Sequence, residues 1–525
     1  MPEVRKYAES FREGIVAQPH RLSATLQHST PSQRGGAVRR SYPCTDTDAL
    51  QAVALPRCDF VPHDGFGPLH PRHLARQHSL PRRAQRVRSP LVELSLAVEH
   101  RRGHGALYAA LDRGWLEPTR LRRTLAGLPL PKAADGRIVL AVDVSNWLRP
   151  DAPTSDDRLF CHVYGRGDRK TDQFVPGWPY SFVAALESGR TSWVALLDAV
   201  RLGPADDATL VTAAQLRDVV QRLTQAGHWR PGDPEILIVM DAGYDVTYLA
   251  HALPDLPVTL LGRLRSDRVM LRDPGPTRCG PKGGRPRRHG GVLTFAKPDS
   301  WHEPDVTTAT DTTRYGKAET IAWDRMHPRL THRRPWLDHA KEELPILHGT
   351  LIRLKVERLP GDRDPKPVWL WCSANAATPV DVDRWWQSFL RRFDLEHTFR
   401  LLKQTLGWTA PKVRHADSAD LWTWLIIAAH TQLRLARPLA EDLRRPWERP
   451  AAPRRLTPPA SAGRFATSAR RQPVRRPHRN RPSRARDGLP ARRTGSGPHV
   501  TTSARRSNVL SRSRNTKPAE DKRQA

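Results

Sequence analysis

Glu235-Ile-Leu-Ile-Val-Met-Asp-Ala-Gly-Tyr244 is the stretch that decides the fold. Its unbroken apolar run reads as a strand buried on both faces, ending at Asp241. Ile138 to Val144 repeats the pattern: apolar β-formers interrupted only by Asp143. Working outward, Arg158–Tyr164, Ser192–Val200 and Val258–Leu264 read as further strands, and Ala208–Ala226 as a helix. Strands alternating with helices predict an α/β sheet.

Beyond Ser266 the alternation breaks. Asp273–Gly291 is a Gly/Pro/Arg loop, and Trp301, Trp323 and Trp336 follow without a helical period. This reads as a strand-rich insertion ending near Glu343. Leu351–Val356 and Val368–Trp371 resume strand character. A long helix is predicted from Val380 to Leu406, and a final apolar helix from Ala419 to Leu435. Ahead of the first strand, Leu91–Leu128 has helical spacing with arginines between the leucines. It is either a DNA-contacting module or a solvated helical face.

The two aspartates stand at the ends of their apolar runs, the edge where open α/β sheets place active sites. Either could instead cap a helix or anchor a loop. Glu396, on the long helix, has Arg392 four residues earlier and alone reads as a surface ion pair. Together, three carboxylates suit two divalent metal ions and phosphodiester chemistry. Mg²⁺ needs only a few carboxylates because it keeps several waters.

Charge supplies a substrate. The 525 residues carry 86 Lys/Arg against 54 Asp/Glu, a net +32, which points to a polyanionic partner. Residues 1–90 carry +7 and 451–525 carry +17, leaving +8 for 91–450, which also hold all sixteen tryptophans. Both ends lack the apolar content to offset chain entropy and are predicted to be disordered and basic. The five cysteines form no Cys-x-x-Cys pair, and their odd number argues against a disulfide framework, so a reduced intracellular protein is expected. No run approaches 18 apolar residues, so no membrane span is expected. Met1–Ser10 does not read as a signal peptide.

Phe389-x2-Arg392-x3-Glu396-x6-Lys403 resembles the Tyr-x2-Arg-x3-Glu-x6-Lys signature of DDE transposases from bacterial insertion sequences, of the IS-four type and its IS-seven-oh-one-like branch. Asp241-Ala-Gly-Tyr244 is similar to that group's second-aspartate motif, and Asp143-Val-Ser-Asn-Trp147 fits the first. The resemblance spans Leu91 to Pro450. It implies an RNase H-like catalytic core with an insertion between the second Asp and the Glu. It further implies a metal-binding catalytic triad of Asp143, Asp241 and Glu396, and two Mg²⁺ (or Mn²⁺) ions. Arg392, Lys403, Phe389 and Tyr244 would be DNA-binding. The partners would be double-stranded transposon-end and target DNA, with a homodimer in the synaptic complex, in the bacterial cytoplasm at the nucleoid. Phe389 departs from the pattern by lacking tyrosine's hydroxyl. The 154 residues between Asp241 and Glu396 suit the family's insertion, whose aromatics could stack on an unpaired base. Trp301 and Trp323 are the candidates, with core packing as the plainer role. His162 and His397 read as structural, and Asp245 as a helix cap.

The expected organisation is therefore 1–90 unstructured, 91–130 a helical basic module, 131–265 the first part of the core, 266–345 the insertion, 346–450 the second part with the Glu-bearing helix, and 451–525 an Arg/Pro-rich tail. With permitted codons chosen and read at one common two-base offset, Ala485–Gly495 admits a peptide resembling the basic tail of such transposases, and Gly463–Ala469 admits Ala-Phe-Arg-Asn-Ile-Arg, a helical stretch. The tail thus reads as a frameshift product beginning near Pro458, and the first 88 or so residues as out of frame too. The function expected is metal-dependent cleavage and transfer of DNA strands. The alternatives are a two-metal nuclease of the same fold and a decayed relic that only binds DNA.

Overall fold

The structure is a computed structural model that describes Leu91 and residues 105–439, apart from 165–170, 189–191, 276–286, 333, 340–343 and 360–364. The expectations for 1–90, for the start of the basic module and for the tail with its frameshift lie outside the described residues. After helices α1 (Ala106–Arg113) and α2 (Pro118–Ala126), the chain enters a large mixed sheet.

Strand β1 (Val139–Leu148) pairs antiparallel with β3 (Gln173–Leu186) and parallel with β5 (Ile236–Met240). β2 (Leu159–Val163) and β4 (Val194–Arg201) lie against successive parts of β3. Helix α3 (Ala208–Gln225) crosses over to β5, and α4 (Val246–Ala252) to β6 (Val258–Leu264), which pairs parallel with β5. Asp207 caps α3 by accepting from the Thr209 and Leu210 amides. Two of the sequence readings change here. β1 runs five residues past Asp143, and the fourteen-residue β3 appears where no strand was expected.

The expected insertion does contain strands: β7 (Val269–Leu271), β8 (Val292–Thr294), β9 (Val306–Thr312) and β10 (Gly316–Pro328). They continue the same sheet through β11 (Gly349–Val356) and β12 (Val368–Cys372), which pairs antiparallel with β6. Trp323 is 1 % exposed and donates to the His302 carbonyl; Trp301 packs against it and against Trp369. Both tryptophans take the packing role.

The expected long helix is two: α5 (Pro379–Arg391), opened by a Thr378–Asp381 capping box, and α6 (Phe393–Gln404), with Arg392 at the break. Helix α7 (Ala416–Ala436) follows and packs on β4 and α1. No helix among the described residues is long and apolar enough to cross a membrane.

Side chains alternate across a strand, so each face of the sheet buries its own set. Leu140, Val142, Ile238 and Met240 share a core with α3 and α4. Val139, Ala141, Leu237 and Val239 share the other core with α5, α6 and α7. The parity that sorts these apolar residues also sorts the carboxylates.

Candidate active site

Asp143 and Asp241 continue the odd-numbered series, so both project to the face covered by α5 and α6. The parallel register Val139↔Leu237, Leu140↔Ile238, Ala141↔Val239, carried two residues on, sets Asp143 level with Asp241. Asp143 is mid-strand, opposite Phe182 of β3, whereas Asp241 sits in the turn after β5. Asp245, four residues on, caps α4 by accepting from the Tyr248 amide. Gly262, opposite Met240, allows α4 to close in behind this turn: a Cβ there would lie 2.6 Å from the Val246 Cβ.

From the opposite side, the break between α5 and α6 turns Arg392 inward. Its guanidinium donates to Asp143 Oδ2 at 2.7 Å, to Asp241 Oδ2 at 3.4 Å and to Glu396 Oε1 at 3.3 Å. Three carboxylates distant in sequence therefore meet on one cation. Exposure grades across the cluster: the side chain of Arg392 is 3 % exposed, Asp143 19 %, Asp241 34 % and Glu396 44 %. The guanidinium carbon lies 5.9 Å from the Phe389 ring centroid and 5.3 Å from that of Phe393.

The cluster is short of positive charge. The other Asp143 oxygen accepts from the Val144 amide at 2.8 Å. Burial nevertheless pushes Asp143 up to about 6, against the attraction of Arg392, and the charges of Glu396 and Asp241 push the same way. Asp241 Oδ1 is buried without a hydrogen bond, with Arg263 Nη1 3.5 Å away across the rim. Arg263, on β6, is a residue that sequence reasoning missed. Its signal was its place one residue beyond Gly262 on the strand that neighbours Asp241.

The residues expected to grip DNA have different settings. Phe389 is 3 % exposed in the core, so its missing hydroxyl would have had no solvent to face. The Tyr244 hydroxyl is buried and sits near Asp143, and burial raises its phenol well above the ordinary range. Lys403, two turns beyond Glu396, holds its ammonium 5.5 Å from the Trp408 ring centroid, where burial lowers its pKa. Arg392 faces carboxylates rather than the surface. His162 extends a surface aromatic cluster with Tyr164 and Phe174 and pairs with Asp172.

Arg392 stands between the carboxylates, and among the described residues no group of three His, Cys, Asp or Glu side chains is arranged to hold a metal ion. The donor set itself suits a hard divalent cation. It offers only oxygen ligands, one of them a buried carboxylate oxygen with no hydrogen bond, with three negative charges around one buried guanidinium.

No curated protein matches the chain. Residues 83–329, which carry Asp143, Asp241 and Arg263 but end before Arg392 and Glu396, match a family model described as DDE superfamily endonuclease, and this similarity supports a DNA-cleaving function of the DDE type.

Proposed function

We propose that the protein is a transposase with an RNase H-like core that cuts and joins DNA strands at the ends of an insertion sequence. The observation that carries this reading is the meeting of Asp143, Asp241 and Glu396 on one guanidinium, on the sheet face that β1 and β5 share. These three carboxylates would hold Mg²⁺ or Mn²⁺, two ions, whose chemistry there is activation of the attacking oxygen and stabilisation of the leaving one. The chain's own residues do the rest. Val144 fixes one Asp143 oxygen through its amide, and the other accepts from Arg392. Glu396, the most exposed of the three, borders the entry, and Arg263 at the rim is placed to meet a phosphate. The substrate is double-stranded DNA, the transposon end and then the target, handled by a homodimer in the bacterial cytoplasm.

The test mixes the full-length protein, Asp241→Ala and Glu396→Gln with labelled element-end DNA and Mg²⁺. Cleavage and joining by the wild type alone supports transposition. Cleavage without joining makes the protein a nuclease of the same fold. Equal binding without cleavage in all three makes it a relic.

A further inference from the structure

We propose that Arg392 is the site's built-in counter-ion, which a divalent cation must displace, and that a DNA phosphate strengthens metal binding by taking up the displaced guanidinium. The proposal rests on the metal-dependent reading above. Its ground is the position of the side chain, which touches all three carboxylates while almost wholly buried. A guanidinium and a divalent cation cannot share this space, because like charges a few ångströms apart in a poorly solvated site repel strongly. The same space explains why the cluster holds together without a metal. Three converging carboxylates with no cation would drive one another apart or take up protons.

The guanidinium is a partial substitute. Its Nε is buried without a hydrogen bond, and Asp241 Oδ1, also without one, has only the longer 3.5 Å ion pair with Arg263. Two of its three carboxylate contacts are 3.3 Å or longer. Charge balance also favours exchange, since one buried guanidinium and the half-exposed Arg263 at the rim face three carboxylates. Once displaced, a buried guanidinium without an anion is costly. In a DNA-cleaving site the anion at hand is a phosphate, which matches the planar fork of arginine in two parallel hydrogen bonds. Metal and DNA are thereby linked through one side chain, and linkage of this kind is reciprocal.

The experiment is a Mn²⁺ titration of the full-length protein followed by electron paramagnetic resonance, with and without a short DNA duplex. Wild type, Arg392→Gln and Asp241→Asn are compared. Without DNA, Arg392→Gln is expected to bind Mn²⁺ about tenfold more tightly than wild type, within the range usual for coupled sites. The duplex is expected to tighten Mn²⁺ binding to wild type by a similar factor and to leave the variant unchanged. If Arg392→Gln binds Mn²⁺ no more tightly than wild type, or the duplex leaves wild type unchanged, the inference is overturned. Should Arg392→Gln not fold alone, circular dichroism decides: recovery of the folded signal on adding Mn²⁺ supports the exchange, and no recovery overturns it. Asp241→Asn separates the two levels. If it binds Mn²⁺ as well as wild type does, the metal-site reading itself fails, whatever Arg392 does.

Discussion

Asp143→Asn should make the metal-free protein more stable at neutral pH while abolishing cleavage. The carboxyl moves from its ordinary 3.8 to about 6 on folding, a net effect that already contains the attraction of Arg392. A shift of about two units means that holding Asp143 ionised costs roughly 3 kcal/mol at pH 7.5. The sign follows from the direction. A carboxyl raised by folding binds its proton more tightly in the native state, so stability falls as pH climbs from the unfolded value through about 6. At pH 5 the cost is only partly incurred, about half of the full amount. Asparagine removes the charge but keeps one acceptor where the carboxylate used two, for the Val144 amide and for Arg392. Losing that acceptor costs about 1 kcal/mol. The variant should therefore gain roughly 2 kcal/mol at pH 7.5 and less than about 1 kcal/mol at pH 5. Urea unfolding in chelator at both pH values measures this as a shift in midpoint at constant slope. A variant less stable than wild type at pH 7.5, or an equal difference at both pH values, would refute the reasoning.

Other perturbations separate the site from its scaffold. Glu396→Gln gives up only a half-exposed pair with Arg392, so its urea midpoint should shift by less than about 1 kcal/mol while cleavage is lost. Asp198, 1 % exposed, joins Arg122 on α2 to Arg222 on α3; Asp198→Ala leaves both arginines without it and should cost about 3–5 kcal/mol in the same assay. Asp383 on α5 accepts from Thr308, Thr310 and the Trp386 indole, so Asp383→Ala should cost about 1–3 kcal/mol by detaching the helix from β9. His327 is fully buried and lowered to about 4 by burial and by the neighbouring His348 and His289, so it favours its neutral form on folding. Stability should fall as pH drops from about 6.5 towards 4, by up to roughly 3 kcal/mol, and His327→Leu should flatten that limb in melting curves.

The parallel strands β5 and β6 were legible because they are short, apolar and bounded. Val258–Leu264 is one strand in sequence and structure alike, and Ile236–Met240 differs from its reading by one residue. β3 was hidden for a physical reason. Pro176, Gly177 and Pro179 are strand-breaking signals, because proline cannot donate to a ladder. Here their carbonyls carry the pairing: Pro176 accepts from the Arg149 amide and Pro179 from the Leu202 amide. With β3 unseen, Asp143 read as the end of a strand. Nine residue pairs with β3, Leu140↔Ala185 to Leu148↔Gly177, draw β1 past it and leave the carboxylate mid-strand and mostly covered.

Arg392 shows why a motif can name residues yet leave their roles open. In a continuous helix Arg392 and Glu396 form an ordinary surface pair, and the sequence period supports that reading equally well. Two facts that no local pattern encodes turn the side chain inward. One is the break, where the Arg392 amide bonds back to Phe389 and the Leu395 amide to Arg392, so α6 begins a new helix over the sheet. The other is the register of β1 and β5, which aims two further carboxylates at the same point from strands almost 100 residues apart. A surface arginine needs neither. An arginine that three carboxylates converge on, between two aromatic rings, is positioned by the sheet as much as by its own helix. Changing the register through β1 or β5 should therefore disturb the site more than changing the exposed face of α6. Inserting one alanine after Val142 tests this. It would shift Asp143 to the α3 and α4 face while leaving the α6 sequence intact. DNA cleavage should then be lost, whereas Arg400→Ala on the exposed face of α6 should leave it within about twofold, as surface substitutions usually do.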